Sequence, residues 1–544
     1  MDSNNNGGKA KTSLSLAEKS DSSDNKLDKE NSSETVSNTI RMKNDSSSFP
    51  KKDTFSNIFL LICIMGVSFG ILLEIINIAK RNQKYSEENC NERPKYWSYA
   101  KHADVENRNG LLQHVHSVLE RVGYEKGSNK SSWDLLWAHD SPFTSLHDTL
   151  LKLKPHQRVN HYPGTGYLTT KVYLATINSK YIPKAFKLPK SKEDFFKYAE
   201  ENKDSLFLVK LNTHRGVHLK NVSEINVSDE NSFVQEYIQK PFLVDGHKFD
   251  IGVYVVITSV NPLRAYWFAG DVLFRYCPSK YYPFDPNDLD KYVIRDKYLP
   301  TWEVPSLAMP FSALGHGMKD VFDIYARSKG KDPTLMWEEV RRAIAEILIM
   351  KEHHIISATK RYPSQDNFFE MMRFDLIVDE NLKVYVLEAN MSPNLNSASF
   401  KKNALIYEPL LYNLFSLTGI SRQIKSNDAN PSDKSAAKDM ISSYKNIAVF
   451  GDQCATICKD DCNVLPQCNL CKPCLGNELK NSLLKAHAEF LHRGDFRRLV
   501  PLPMSQVKDI NEFEKSVPEG LQGVNKLQHM WYQEKCNQDI AWCT

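Results

Sequence analysis

The stretch Phe368–Asn396, FFEMMRFDLIVDENLKVYVLEANMSPNLN, restricts this chain more than any other, because an apolar strand here has to end in a charge. Phe374–Val378 and Lys383–Asn390 are apolar, β-branched runs, and Asp379, Glu380, Asn381 and Leu382 between them supply turn chemistry. The pattern predicts a hairpin. If Val378 pairs with Lys383, Asp375 lies opposite Val386, and because side chains alternate across a strand, Val386, Glu388 and Asn390 share one face with Asp375. Two carboxylates and an amide oxygen converge there. Hard divalent cations such as Mg2+ take oxygen ligands of this kind and complete their shell with water and substrate phosphates. A solvated hairpin with its acidic residues in water is the alternative. Glu388 argues against it, since it closes the run Val384, Tyr385, Val386, Leu387, and a buried strand does not normally end in a charge without a partner.

At 544 residues the chain is expected to fold as two or three lobes. Its 70 basic and 66 acidic residues leave a net charge of +4, which argues against a nucleic-acid binder driven by bulk charge but allows a local basic groove. Of 11 cysteines, Cys454, Cys458, Cys462, Cys468, Cys471 and Cys474 cluster, Cys536 and Cys543 lie near the C-terminus, and Cys63, Cys90 and Cys277 precede them. Eight cysteines suit disulfides in an oxidising lumen, whereas the C-x-x-C-x-x-C spacing suits zinc in the cytosol. Spacing alone does not choose.

In chain order, residues 1–53 are rich in Ser, Asn, Asp and Lys, cannot bury a core and read as a disordered tail. Thr54–Leu73 is a run of 20 residues without a charge, and IINIA continues it after Glu74. The length predicts a transmembrane helix over 54–79, retained as an anchor because it lies far from the N-terminus. Basic residues flank it on both sides, with a slight excess toward a cytosolic body, while the cysteines favour a lumenal one. Helices are expected over Leu111–Val122, Ser191–Asn202, Trp337–Thr359 and Ala404–Leu417, and strands over Leu206–Lys210, Phe233–Ile238, Phe249–Thr258, Leu263–Phe268 and Val272–Tyr276, the last three as a meander. Residues 421–447 read as a linker before a cysteine-rich region over 448–544.

Three further pieces bear chemistry. Lys210 ends a strand ahead of Asn212, Arg215 and Gly216, where a lysine can contact a phosphate or simply face water. Gln235, Glu236, Tyr237 and Ile238 run toward Pro241, either a plain edge strand or backbone groups that hold a flat heterocycle. Lys248 and Asp250 lie two apart on one strand face, as members of a site or as an exposed ion pair.

Taken in this order, these pieces resemble the tubulin tyrosine ligase-like family, whose fold is an ATP-grasp. The resemblance runs through QRVNHYPGTGYLTTKVYLATI, LVKLNTHRGVHL, FVQEYIQKPFLVDGHKFDIGVYVVITSVNPLRAY, FRYC and FDLIVDENLKVYVLEANMSPNL. It implies an α/β (α+β) ATP-grasp domain over 90–420 with N-terminal, central and C-terminal lobes. Lys210 and Lys248 would contact ATP phosphates, Gln235–Ile238 would hold adenine, Asp250 the ribose, and Arg275 the phosphate or transferring group. Asp375, Glu388 and Asn390 would hold Mg2+. The implied reaction phosphorylates a substrate carboxylate, and an incoming amine then displaces phosphate to form an amide. Free glutamate and the acidic C-terminal tails of tubulin are the partners expected for such a tubulin polyglutamylase, with the membrane through 54–79 and no nucleic acid; a catalytically weak nucleotide-binding scaffold and a lumenal ligase for non-tubulin proteins are the alternatives. The expected localisation is a single-pass membrane protein whose catalytic domain faces cytoplasm and microtubules, or the lumen. The chain departs from the family in three places: Gly252 stands where arginine is usual, NTHRGVHL has one glycine, and YVIRDKYLPTWEVPSL follows Lys291 with no H-L-T-N block. Arg264 or His247 are candidates to replace the missing cation.

Overall fold

Phe249–Val260 is rich in aromatic and β-branched side chains, interrupted by Asp250, Gly252 and Ser259; this composition favours extended backbone, and burial on both faces removes the need for polar alternation. The computed structural model describes residues 62, 64–80, 93–211, 216–422, 442–507, 513 and 515–544. In chain order its strands are β1 (Lys95–Tyr99), β2 (Glu125–Lys126), β3 (Leu135–Ala138), β4 (Arg158–Val159), β5 (Ala185–Lys187), β6 (Phe207–Leu211), β7 (Val217–Lys220), β8 (Ser232–Glu236), β9 (Phe249–Val260), β10 (Leu263–Phe268), β11 (Leu273–Tyr276), β12 (Leu299–Pro300), β13 (Glu370–Val378), β14 (Val384–Asn390) and β15 (Phe496–Val500). They make three sheets in a mixed α/β architecture. One has the order β2-β1-β3-β4 and is parallel, one has the order β5-β8-β6-β7 and is antiparallel, and the largest has the order β12-β11-β9-β10-β15, with β13 also on β9 and β14 on β13.

β9 is long enough to take two partners in succession, β11 along its first residues and β10 along its last. The expected meander is therefore not formed. Asp271, between β10 and β11, accepts hydrogen bonds from the backbone N–H groups of Met318 (2.9 Å) and Lys319 (2.8 Å) at the start of helix Met318–Ser328. That cap draws the chain out of a hairpin and returns β11 to β9. Helix Pro333–Thr359 buries Val340, Ile344, Ile347, Leu348 and Ile355, the stripe that its spacing predicts.

β8 is an interior strand between β5 and β6, so the segment containing Gln235 is not a plain edge. The cysteine-rich region joins the large sheet through β15, which pairs with β10. Its cysteines form disulfides Cys454–Cys471, Cys458–Cys468, Cys462–Cys474 and Cys536–Cys543, which decides the open choice between bridges and zinc. Arg264 of β10, fully buried, is held there by Glu489 (2.8 and 3.1 Å), Ser482 (2.7 Å) and Gln528 (3.1 Å).

The transmembrane expectation is corrected. Residues 54–61 and 63 lie outside the described residues, and among the described residues no helix is long and apolar enough to cross a membrane. The helical residues described there, 62 and 64–80, include the charged Glu74. The anchor over 54–79, the membrane partner and the single-pass localisation fall with it. The tail over 1–53 and most of the linker over 421–447 lie outside the described residues.

Glu489→Gln would leave the Arg264 guanidinium buried without its counter-charge, a change that costs about 3–5 kcal/mol. Denaturant unfolding should show that loss, and Arg264→Met with Glu489→Gln should recover a large part of it.

Candidate active site

On one face of the large sheet, alternation sets Lys248, Asp250, Gly252 and Tyr254 in a row along the chain entering β9. Asp250 lies opposite Arg275 of β11. Gly252 lies between Leu273 of β11 and Asp375 of β13. Beyond β13, Asp375 faces Glu388 and Arg373 faces Asn390. The hairpin register differs from expectation by two slips. Val378 pairs with Val384, because Asp379 closes the turn by accepting from the N–H groups of Asn381 (2.8 Å) and Lys383 (3.0 Å), with Leu382 in the left-handed region at φ 62°. A bulge between Asp375 and Leu376 then adds a second shift. The two cancel for Glu388 and Asn390, which keep the face of Asp375, whereas Val386 falls opposite Leu376 and is buried in the core.

This face floors a cavity of about 870 Å³ whose opposite wall is the β5–β8 sheet, with Leu208, Lys210, Val217 and Phe233. Residues 292–296 and Lys171 also line it. Lys171, Lys210, Lys248, Arg275, Arg295 and Arg373 stand against Asp250, Asp296, Asp375 and Glu388, a positive surplus that suits an anion.

The charges on the floor alternate. Arg275 donates from Nε to Asp250 Oδ1 (2.9 Å) and from Nη2 to Asp250 Oδ2 (2.6 Å) and Asp375 Oδ2 (3.0 Å). Arg373 donates from Nε to Asp375 Oδ1 (2.6 Å) and from Nη2 to Oδ2 (2.9 Å), and Asn390 Nδ2 donates to the same Oδ2 (3.0 Å). Burial pushes the Asp250 carboxyl up to about 6 against the pull of Arg275. Burial also raises that of Asp375, but Arg373 and then Arg275 hold it below the usual carboxylate range. Burial pulls the Lys210 and Lys248 ammoniums down to about 8.

Lys210 Nζ donates to Gln235 Oε1 (2.6 Å), and Gln235 Nε2 to the Pro183 carbonyl (3.1 Å). Lys248 Nζ donates to the Tyr292 carbonyl (2.9 Å) and the Tyr237 hydroxyl (3.3 Å), above the Tyr237 ring. Gln235 and Tyr237 thus reach the cavity through the two lysines. Glu236 turns aside to Tyr198 and Ser205 (both 3.0 Å), and Ile238 is half-buried; none of the residues 235–238 lines the cavity itself. Asn212 and Arg215 lie outside the described residues.

Neither candidate for a replacement cation reaches the site. Arg264 faces Glu489, and His247 Nδ1 bonds to the Cys277 carbonyl (2.8 Å). The cation that is present, Arg373, was missed, although it stands two residues before Asp375 on the same strand face. Lys171, 3.6 Å from Glu388, lies within the NHYPG-bearing segment, and residues 292–296 open the block after Lys291 that departs from the family pattern. In that segment His161 and the Tyr162 N–H both bond to the fully buried Glu370 (2.8 Å each), pinning it to the start of β13.

For a divalent cation the donor set fits in part. Glu388 and Asn390 offer oxygens at the cavity, and Mg2+ needs only one or two carboxylates when phosphates supply the rest. Asp375 does not fit as a ligand in this arrangement, because both its oxygens accept from guanidiniums. Among the described residues no group of three or more His, Cys, Asp or Glu gathers as a metal site.

Residues 149–429, just over half of the chain, match the tubulin-tyrosine ligase family. A protein of Caenorhabditis elegans named as a probable tubulin polyglutamylase is 36% identical over 443 residues, 80% of this chain and 84% of that protein. A tubulin monoglutamylase of Homo sapiens is 26% identical over 373 residues, 65% of this chain but 30% of that protein. A tubulin polyglutamylase of Mus musculus is 25% identical over 368 residues, 62% of this chain and 44% of that protein. The chain thus spans most of the first and less than half of the other two.

Between an unfolded value near 4 and about 6, the folded chain keeps a proton on Asp250 that the unfolded chain has released. That contribution to stability is full below the window and lost as pH rises through it. Asp375 acts in the opposite sense: its contribution is present above its unfolded value and is lost as pH falls through the lowered folded one. Urea unfolding across the upper window should therefore show a steeper fall with pH in the wild type than in Asp250→Asn, by up to about 1.4 kcal/mol per pH unit.

Proposed function

Because this chain belongs to the tubulin-tyrosine ligase family, we propose that the cavity binds ATP and joins an amino acid to a protein carboxylate through an amide bond. The observation that carries this reading is the cationic surplus around the cavity, with Lys210, Lys248 and Arg275 fixed by hydrogen bonds before any ligand arrives. Fixed donors stabilise developing charge without reorganising, which is the main demand of phosphoryl transfer.

In this reading Lys210 and Lys248 meet the phosphates, and Gln235–Ile238 flank the adenine from behind the two lysines. Asp250 takes the ribose, or serves first to aim Arg275 at the transferring phosphoryl. Glu388 and Asn390 would hold Mg2+, with Asp375 behind them. Mg2+, when bound, neutralises phosphoryl oxygens. The γ-phosphoryl passes to the acceptor carboxylate as ADP leaves; the amine then attacks the carbonyl, phosphate departs, and the amine loses a proton. Glutamate as the added amino acid and tubulin tails as the acceptor are proposed from the names of the relatives, which are tubulin glutamylases.

The purified protein with ATP, Mg2+, labelled glutamate and microtubules should label tubulin, and Glu388→Gln should lower the rate by about 100-fold or more. Equal labelling by both would sink the assignment, and nucleotide binding without amide formation would favour a nucleotide-binding scaffold. Nucleotide affinity should also weaken as pH rises through about 8, where Lys210 and Lys248 lose their charge; titration with a fluorescent nucleotide on either side of that pH reads it.

A second acceptor class is favoured by the four disulfides, which persist in oxidising compartments. Since β15 ties them to the sheet that carries the site, such a compartment would hold the catalytic residues too, and the acceptor would be a protein other than tubulin. The sequon asparagines Asn129, Asn221 and Asn226 are exposed, so this reading expects a glycosidase-sensitive mobility shift that a microtubule-facing protein would lack.

A further inference from the structure

Gly252 needs no special backbone. It lies within β9, outside the left-handed region that only a few residues tolerate. What its missing side chain provides is space. A Cβ placed there would stand 2.8 Å from Arg373 Cδ and 3.2 Å from Arg373 Nε, with Leu273 Cβ at 3.3 Å closing the other side. The Arg373 side chain starts from the neighbouring row of β13 and leans across Gly252 to reach Asp375. The guanidinium ends buried, with two charge-assisted bonds to one carboxylate.

We propose that Gly252 and Arg373 form one unit, in which the glycine is the socket that lets Arg373 reach Asp375, and that Arg373 is the positioning cation of the site. The electrostatic consequence concerns Arg275. Asp250 and Asp375 both draw on its guanidinium. With Arg373 present, the floor holds two cations against two carboxylates, and Arg275 can turn charge toward an incoming phosphate. Without it, two carboxylates share Arg275 alone, this group of charges becomes negative, and the cavity attracts an anion less. The arginine that resemblance leads one to expect at position 252 is thus supplied from the adjacent strand, and its charge arrives over the same spot. Replacing either member alone breaks the unit: a side chain at 252 pushes Arg373 off Asp375, and removal of Arg373 leaves a hole over a glycine.

The inference rests on the ATP-ligase reading for its functional meaning, but nucleotide affinity and thermal midpoint test it separately from turnover. The variants are Gly252→Ala, Arg373→Met, Gly252→Arg, Arg373→Gly and the exchange Gly252→Arg with Arg373→Gly, each in the full chain, with fluorescent ATP analogue binding, thermal unfolding and glutamate transfer as readouts. Arg373→Met keeps the bulk and loses the charge, so its nucleotide affinity should fall by about tenfold or more while its midpoint falls less than that of Arg373→Gly. Gly252→Ala should lose affinity in the same way with Arg373 still in the sequence. The exchanged protein should bind nucleotide better than either of its parent single variants. If the wild type transfers no glutamate but affinities follow this pattern, the ligase assignment fails and the unit stands. If Arg373→Met binds nucleotide as the wild type does, or the exchanged protein binds no better than its weaker parent, the unit is refuted. Should the glycine-to-arginine variants not fold, the comparison of Arg373→Met with Gly252→Ala alone decides.

Discussion

A charge taken out of water must meet an opposite charge or shed its own, and the cavity floor is built on that constraint. Asp250, Arg275, Asp375 and Arg373 come from β9, β11 and β13, and each is buried or nearly so. None could remain ionised alone. Their alternation requires that the three strands lie side by side in one register, so the ion-pair row depends on the pairing of β9 with both neighbours. The same pairing brings Glu388 and Asn390 into line from β14.

Two further buried charges fasten surrounding parts to this sheet. Glu370, at the first position of β13, receives His161 and the N–H of Tyr162 from the NHYPG segment. The residues that look most like a family signature there act as a pin between sheets. Arg264, at the far edge, receives Glu489 from the cysteine-rich region, so the disulfide-bonded part is fastened to the large sheet as well as paired through β15. The cavity floor, the signature segment and the C-terminal region are thus all fastened to the large sheet, the last two through buried charged groups that have no water to fall back on.

The meeting of floor and opposite wall is organised by lysines. Lys210 and Lys248 lie at the junction of the two sheets, each bonded to protein oxygen, Gln235 on one side and Tyr292 and Tyr237 on the other. Desolvation lowers their hold on a proton, which makes them responsive to an arriving anion. Gln235 and Tyr237 belong to this arrangement as partners of the lysines more than as a surface of the cavity.

Local sequence was enough for much of this. Period and composition set the strands at Leu263–Phe268 and Phe249 onward and the buried stripe of Pro333–Thr359, since these depend on side chains a few residues apart. The face shared by Asp375, Glu388 and Asn390 was legible because strand alternation is a local rule, and it survived two register slips that cancelled. What alternation could not reveal was the distant partner. Arg373 faces the cavity by the same rule, but its reach across Gly252 depends on β13 lying against β9, a contact between segments more than a hundred residues apart. The disulfide pairing, the turn of Arg264 toward Glu489 and the return of β11 to β9 are likewise decisions of the tertiary structure, for each is settled by which buried group finds a partner when separate segments pack. The apolar run over 54–79 shows the reverse: local composition suggested a span, and among the described residues no helix is long and apolar enough to make one.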